Sequence, residues 1–222
     1  MQYHWLNKSN NDKLIVFFCG WGFDFHSFEF LNSNGFDVLI VYDYSSVDVF
    51  NIDFAKYEKK YLIAWSMGVF VANLLKDNFM QFDKKIAING TPFPVSNDFG
   101  IPQRIFDLTL KNVEQSLQGK FYKNMFLTNE DFERFVFPKR EIENCKQELF
   151  NISRLAKNEN REYTSFYDLA IISDFDKIIP TKNQIRFWND KVTIINLENG
   201  HFSFYNFGSW ENILLCMPIQ KK

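Results

Sequence analysis

A serine, a histidine and one of two aspartates in this 222-residue chain could together turn a hydroxyl into a nucleophile. The serine is Ser66 in Tyr61-Leu-Ile-Ala-Trp-Ser-Met-Gly68, where the pattern of a buried strand runs into that of a helix. A sharp strand-to-helix turn lifts a hydroxyl above the edge of a sheet, and small residues two positions to either side let strand and helix pass closely. The usual spacing is G-x-S-x-G; here Ala64 and Gly68 fill the small positions, and the extra methyl weakens the motif without breaking it. Taken alone, Ser66 could also be a helix N-cap. The apolar strand before it and the apolar helix after it favour the nucleophile.

A serine hydroxyl is a poor nucleophile at neutral pH until a base takes its proton. The histidines are His4, His26 and His201. His4 falls in a first strand or tail, and His26 follows the loop after the strand that ends at Phe18. His201 stands in Asn199-Gly-His-Phe202, directly after the apolar run Val192 to Leu197. That is the carboxyl end of a strand, where the functional residues of open α/β sheets gather. The base needs an acid to hold its tautomer and stabilise its cation. Ile171-Ile-Ser-Asp-Phe-Asp-Lys-Ile-Ile-Pro180 offers Asp174 and Asp176, and their spacing leaves both open. With either one the chain order is Ser, Asp, His, the order of α/β-hydrolases. An oxyanion hole needs two backbone N–H donors aimed where negative charge develops. Met67, at a helix start, would give one, and Trp21 in the turn Phe17-Phe-Cys-Gly-Trp-Gly-Phe-Asp24 the other.

These groups can meet only at one edge of a sheet, and the hydropathy pattern provides one. Leu14–Phe18, Val38–Tyr42, Tyr61–Ala64, Lys85–Asn89, Leu169–Ile172 and Val192–Leu197 are short, continuous apolar runs. Continuous rather than alternating runs suit strands covered on both faces, as in a parallel sheet. Met67 to Lys76 has apolar residues at helical spacing, giving the strand-helix-strand unit of a doubly wound sheet. From about Thr91 to Tyr163 the texture changes: Pro92, Pro94 and Pro102 punctuate a loop, then charged residues alternate with Phe and Leu, as in Phe106–Leu110 and Phe132–Val136. This reads as amphipathic helices inserted over one end of the sheet.

Composition narrows the function classes. Hydrophobic residues make up 46% and charged residues 23%, which fits one folded globular domain. A net charge of −2 argues against general nucleic-acid binding. No apolar run reaches the length of a membrane span, and the N-terminal ten residues lack the charged and apolar regions of a secretory signal. Cys19, Cys145 and Cys216 are odd in number and far apart, which speaks against a disulfide framework and for the cytoplasm. There is no metal-ligand spacing and no nucleotide loop, so no cofactor and no metal are expected. The 27 phenylalanines, with abundant Asn, Lys and Ile, read as codon bias filling core positions rather than as a ligand surface.

Phe18-Cys-Gly-Trp-Gly, Ala-Trp-Ser-Met-Gly68, Ile88-Asn-Gly-Thr-Pro-Phe-Pro94, Asp176-Lys-Ile-Ile-Pro180 and Gly200-His201 resemble the α/β-hydrolase esterases of bacterial biotin synthesis, most closely the short BioG-type pimeloyl-[acyl-carrier protein] methyl ester esterases. The resemblance spans nearly the whole chain, and Phe132–Val136 looks like part of that family's lid. Cys19 departs from many superfamily members, which have histidine before the turn glycine; backbone N–H groups do the work there. The resemblance implies one α/β-hydrolase domain over residues 1–222, a mostly parallel sheet with helices on both faces, and a helical lid inserted at 95–163. It implies removal of a methyl ester from a carrier-bound pimeloyl chain with release of methanol. Ser66 would be nucleophile, His201 base and Asp176 orienter, with Asp174 in reserve. Trp21, Trp65 and Phe135 would line an apolar channel. The implied partner, an acyl carrier protein, is strongly acidic, so a chain of net charge −2 would need a local basic face, expected at Arg134, Lys139 and Arg140. Two other readings keep the same motifs: another small acyl hydrolase such as a thioesterase, since a triad does not choose its leaving group, and a carrier-binding protein without chemistry.

Overall fold

The computed structural model describes residues 1–47, 52–158 and 163–218. Its strands are Gln2–Asn7 (β1), Lys13–Phe18 (β2), Phe36–Tyr42 (β3), Lys59–Trp65 (β4), Lys84–Ile88 (β5), Leu169–Ser173 (β6) and Thr193–Leu197 (β7). They form one sheet in the order β1-β3-β2-β4-β5-β6-β7. All neighbours are parallel except β1, which closes one edge antiparallel to β3. The stretch holding His4, open between strand and tail in the sequence, is therefore an edge strand.

The apolar runs are buried as continuous runs must be: Leu14 to Phe18, Leu62 to Trp65 and Ala170 to Ile172 have no exposed surface. Successive side chains of a strand point to opposite faces, so Phe17 and Phe18 report what covers each side. Phe17 packs 5.0 Å from Trp210 of Trp210–Leu215, the last helix, and Phe18 packs 5.5 Å from Phe79, just after the helix Met67–Leu74. Helices thus cover both faces. Met67–Leu74 (α1) directly follows β4.

The chain runs from β2 outward to β3 and then returns to the other side of β2 as β4. At such a switch point the loops leaving neighbouring strands diverge and open a crevice at the carboxyl edge. Gly20 and Ser66 stand at its two lips. Between β5 and β6 lie Gln103–Lys111 (α2), Val113–Gln118 (α3), Asn129–Glu133 (α4) and Ile142–Asn158 (α5), in the stretch where the insertion was expected; residues 159–162 at its end lie outside the described residues. Thr181–Trp188 (α6) links β6 to β7, and Trp210–Leu215 (α7) follows β7.

One helical expectation is corrected. Phe132–Val136 does not continue as a helix: α4 stops at Glu133, Arg134 caps it at φ −88° and ψ 0°, and the chain runs on irregularly to Pro138. Proline disfavours helical backbone in the residue before it, and Phe135 and Phe137 turn instead into an aromatic cluster with Tyr122 and Phe132. Among the described residues no helix is long and apolar enough to cross a membrane. Cys19 and Cys145 are buried free thiols, and Cys216 is a half-buried one.

Candidate active site

Ser66 occupies the turn between β4 and α1 with φ 57° and ψ −125°. A non-glycine residue at positive φ is strained, and such strain persists only where the surroundings enforce it. Here Ser66 N–H donates to Ile88 O at 2.9 Å, and α1 crosses so close to β2 that a Cβ at Gly68 would lie 2.4 Å from Phe18 O. Ala64, the other small position, pairs with Phe18 and Ala87 on either side of β4. Gly68→Ala is therefore expected to destabilise the protein by about 2–4 kcal/mol, because the atom it strikes is backbone; denaturant unfolding of both proteins measures the difference, and equal stability would contradict the crowding.

The structure brings Ser66, His201 and Asp176 into one line. Ser66 Oγ lies 2.9 Å from His201 Nε2, and His201 Nδ1 lies 2.7 Å from Asp176 Oδ2. His201 is wholly buried and Asp176 nearly so, while Asp174 is exposed. Asp176 Oδ1 accepts the Ile178 and Ile179 N–H groups at 2.8 and 2.9 Å, which turns Oδ2 toward the imidazole. His4 stacks on Phe25, and His26 Nδ1 sits 3.1 Å from Asp24.

Several supports were not foreseen in the sequence. Gln184 on α6 donates to Asp176 Oδ2 at 2.9 Å. Asn89 donates to His201 O and Ser173 Oγ, both at 2.8 Å, and its Oδ1 accepts Ser173 N–H, so it ties the ends of β5 and β6 to the histidine loop. The Trp65 indole N–H also donates to His201 O, at 3.0 Å. Across that loop lies the insertion: Phe202 N–H donates to Met125 O, and a Cβ at Gly200 would lie 2.5 Å from the same oxygen. The glycine in Gly200-His201 is thus required by close approach. Side chains reaching from another element leave no periodic trace; only the Asn-Gly and Gly-His pairs hinted at these contacts.

Ser66 opens onto a cavity of about 290 Å³, whose lining includes Trp21, Trp65, Met67, Ile105, Phe106 and Phe121. Trp21 and Trp65 line it as expected. Met67 is the first residue of α1, where helix amides lack a partner in the preceding turn. Gly20, just before Trp21, is so close that a Cβ there would lie 3.1 Å from Ser66 Cβ. Phe135 is a correction: it is buried against Phe23, Tyr122, Phe126 and Phe202, away from the cavity lining, and Phe106 and Phe121 bring the insertion's aromatic rings instead.

The expected basic face also divides. Arg140 is buried, with Nη2 3.2 Å from both Asp43 Oδ1 and Glu148 Oε2, so it cannot meet a partner; the two acids drew it inward. Arg134 is half exposed, bonds Asp131 and lies over the Tyr205 ring. Lys139 is exposed. At the cavity itself the cations are Lys120 and Lys177, with Arg104 and Lys111 exposed on α2 beside it. Burial pushes the Glu148 carboxyl up to about 7, against the opposing pull of Arg140 and two backbone N–H groups. Among the described residues no cluster of three or more His, Cys, Asp or Glu is arranged to hold a metal ion.

Residues 1–213 match the sequence model of a family described as pimeloyl-ACP methyl esterase BioG. A malonyl-[acyl-carrier protein] O-methyltransferase of Bacteroides fragilis (strain 638R) is 38% identical over 85% of the chain, which spans only 39% of that relative's length. The crystal structure of BioG from Haemophilus influenzae superposes with a TM-score of 0.86 at 30% identity, covering 95% of this chain and 98% of that one. An esterase from Exiguobacterium antarcticum shares the fold, with a TM-score of 0.67 at 15% identity, covering 97% of this chain and 94% of the other.

Proposed function

The chain belongs to the pimeloyl-ACP methyl esterase BioG family, and from that premise we propose that it hydrolyses the methyl ester of a pimeloyl chain carried on an acyl carrier protein. The observation that carries the reading is the alignment of Ser66 Oγ, the His201 imidazole and the Asp176 carboxylate at 2.9 and 2.7 Å, with Ser66 opening onto a largely apolar cavity. In this reading His201 Nε2 takes the Ser66 proton as Oγ attacks the ester carbonyl. The tetrahedral oxyanion is met by the Trp21 and Met67 N–H groups. Its collapse breaks the bond to the methoxy oxygen, which leaves as methanol with the proton held by His201. Water activated by the same imidazole then hydrolyses the acyl-enzyme and frees the carboxylate. Asp176 keeps the imidazole in the tautomer that accepts at Nε2. The helices of 95–163 act as the lid of a single domain in this reading.

The test is methanol release from pimeloyl-[acyl-carrier protein] methyl ester, with free thiol followed in the same reaction. Methanol supports the reading; thiol release would make the protein a thioesterase instead.

The carrier is assigned to the face around the cavity mouth. There Arg104, Lys111, Lys120 and Lys177 are exposed, with Ile105 and Leu108 half exposed among them. An acidic partner is steered by such a cluster although the whole chain is slightly acidic. Arg104→Glu with Lys111→Glu is expected to lower kcat/KM on the carrier-bound ester about 10-fold or more, with a much smaller loss on a small free methyl ester. Equal losses on both substrates would remove this face from docking.

A further inference from the structure

The turn after β2 is held by the insertion at four successive residues. The Trp21 indole N–H donates to Cys145 O at 2.7 Å, and the Gly22 N–H donates to Glu148 Oε2 at 3.2 Å. Phe23 O accepts from Arg140 Nη1 at 3.0 Å, and Asp24 Oδ2 accepts the Lys139 N–H at 2.8 Å. Glu148 sits at the centre of this arrangement with no exposed surface. Its second oxygen accepts the Tyr44 N–H at 3.2 Å, and Arg140 bridges it to Asp43.

Two carboxylates and one guanidinium buried together are a poor device for stability, because desolvating them offsets most of their attraction and apolar residues of similar volume often do as well. They are a good device for direction. A buried acceptor whose two oxygens take the Gly22 and Tyr44 N–H groups, each at 3.2 Å, fixes both donors, because either one left unpaired in the interior would be costly. An oxyanion donor must be aimed before the charge develops, since any reorientation during the reaction subtracts from its effect. The Gly22 N–H belongs to the peptide that follows Trp21, and the Trp21 side chain is anchored from the same helix.

We propose that Glu148 is a positioning residue for the oxyanion turn: its carboxylate, paired with Arg140, fixes the Gly22 N–H on one side of Trp21 and, together with the indole anchor on Cys145 O, sets the Trp21 backbone so that its own N–H, in the preceding Gly20–Trp21 peptide, faces the substrate oxygen above Ser66. This rests on the reading of Ser66 and Trp21 given above. It also gives α5 a part in the chemistry that covering a cavity would not require.

The test compares turnover of a small activated ester by the full chain, its Glu148→Leu/Arg140→Leu double variant and Glu148→Gln. The double variant removes the acceptor and its cation together, and leaves Asp43 on its bonds from Gln2 and Ser45. It is expected to remain folded, with a cooperative melting transition, and to lose kcat by about 30-fold, less than the roughly 10²–10³ for losing an oxyanion donor outright because the donor is misaimed rather than removed, while KM changes less than about threefold. Glu148→Gln keeps one acceptor oxygen and is expected to recover much of the lost kcat. A folded double variant with wild-type kcat would overturn the proposal, as would losses confined to melting temperature. Should neither variant fold, amide hydrogen exchange at Gly22 in the wild type decides: strong protection supports the contact, and exchange as fast as in an exposed turn refutes it. Absence of wild-type turnover on any ester would instead remove the hydrolase reading, and this inference with it.

Discussion

Replacing Ser66 with alanine is expected to lower kcat on any ester substrate by about 10⁴-fold or more, to the background that oxyanion donors and substrate binding sustain without a nucleophile. The fold should survive. Alanine at φ 57° is no more strained than the serine it replaces, and the Ser66 side chain makes no helix-capping bond. Far-ultraviolet circular dichroism and the melting temperature should therefore match wild type while methanol release disappears. Labelling by an organophosphonate probe should disappear with it, and carrier binding should remain. Retained turnover in the variant would sink the nucleophile assignment. A wild-type protein that binds the carrier yet neither turns over nor labels would favour the binding-only reading.

The second large effect separates two aspartates that sequence spacing alone left open. Asp176→Asn is expected to cost about 10³–10⁴ in kcat, since an amide can donate to Nδ1 and so present the wrong imidazole tautomer to Ser66. The new amide nitrogen would also meet the Gln184 Nε2 donor that now bonds Asp176 Oδ2. Asp174→Asn alters an exposed side chain and is expected to leave kcat within about twofold of wild type, as surface substitutions usually do. Steady-state kinetics on a small ester compare the two directly. A severe loss at 174 with little change at 176 would reverse their roles.

Much of this architecture was legible because burial on both faces leaves a simple mark. Strands such as Leu14–Phe18 and Leu169–Ile172 need no partner to be recognised, as their apolar runs state the environment they require. The strand-to-helix turn at Ser66 was legible because such an elbow demands small residues at fixed offsets. The helices between β5 and β6 were legible in outline only. The phenylalanines of that stretch carry the same helical spacing whether they line a cavity, as Phe106 and Phe121 do, or fill a core, as Phe135 does. Arg140 looked like a surface cation because the acids that bury it, Asp43 and Glu148, are 97 and 8 residues away along the chain. Gln184 and Asn89 were invisible for a related reason: an amide that braces another residue is indistinguishable in one sequence from an amide on a surface.

The four bonds between the insertion and the turn after β2 bear on how such a protein could be altered. A cover that only shades a binding site is a replaceable part, and a segment from another scaffold could be spliced over the sheet to change what fits beneath. Here the graft would also have to bring a carbonyl where Cys145 has one and a buried acceptor where Glu148 stands. If Glu148 positions the oxyanion turn as proposed, substrate range and catalytic rate are written into the same stretch of chain. Recombination that exchanges the stretch wholesale should yield folded but sluggish hybrids, whereas point changes at Ile105, Phe106 or Phe121, which touch the cavity but not the turn, leave room to reshape selectivity alone.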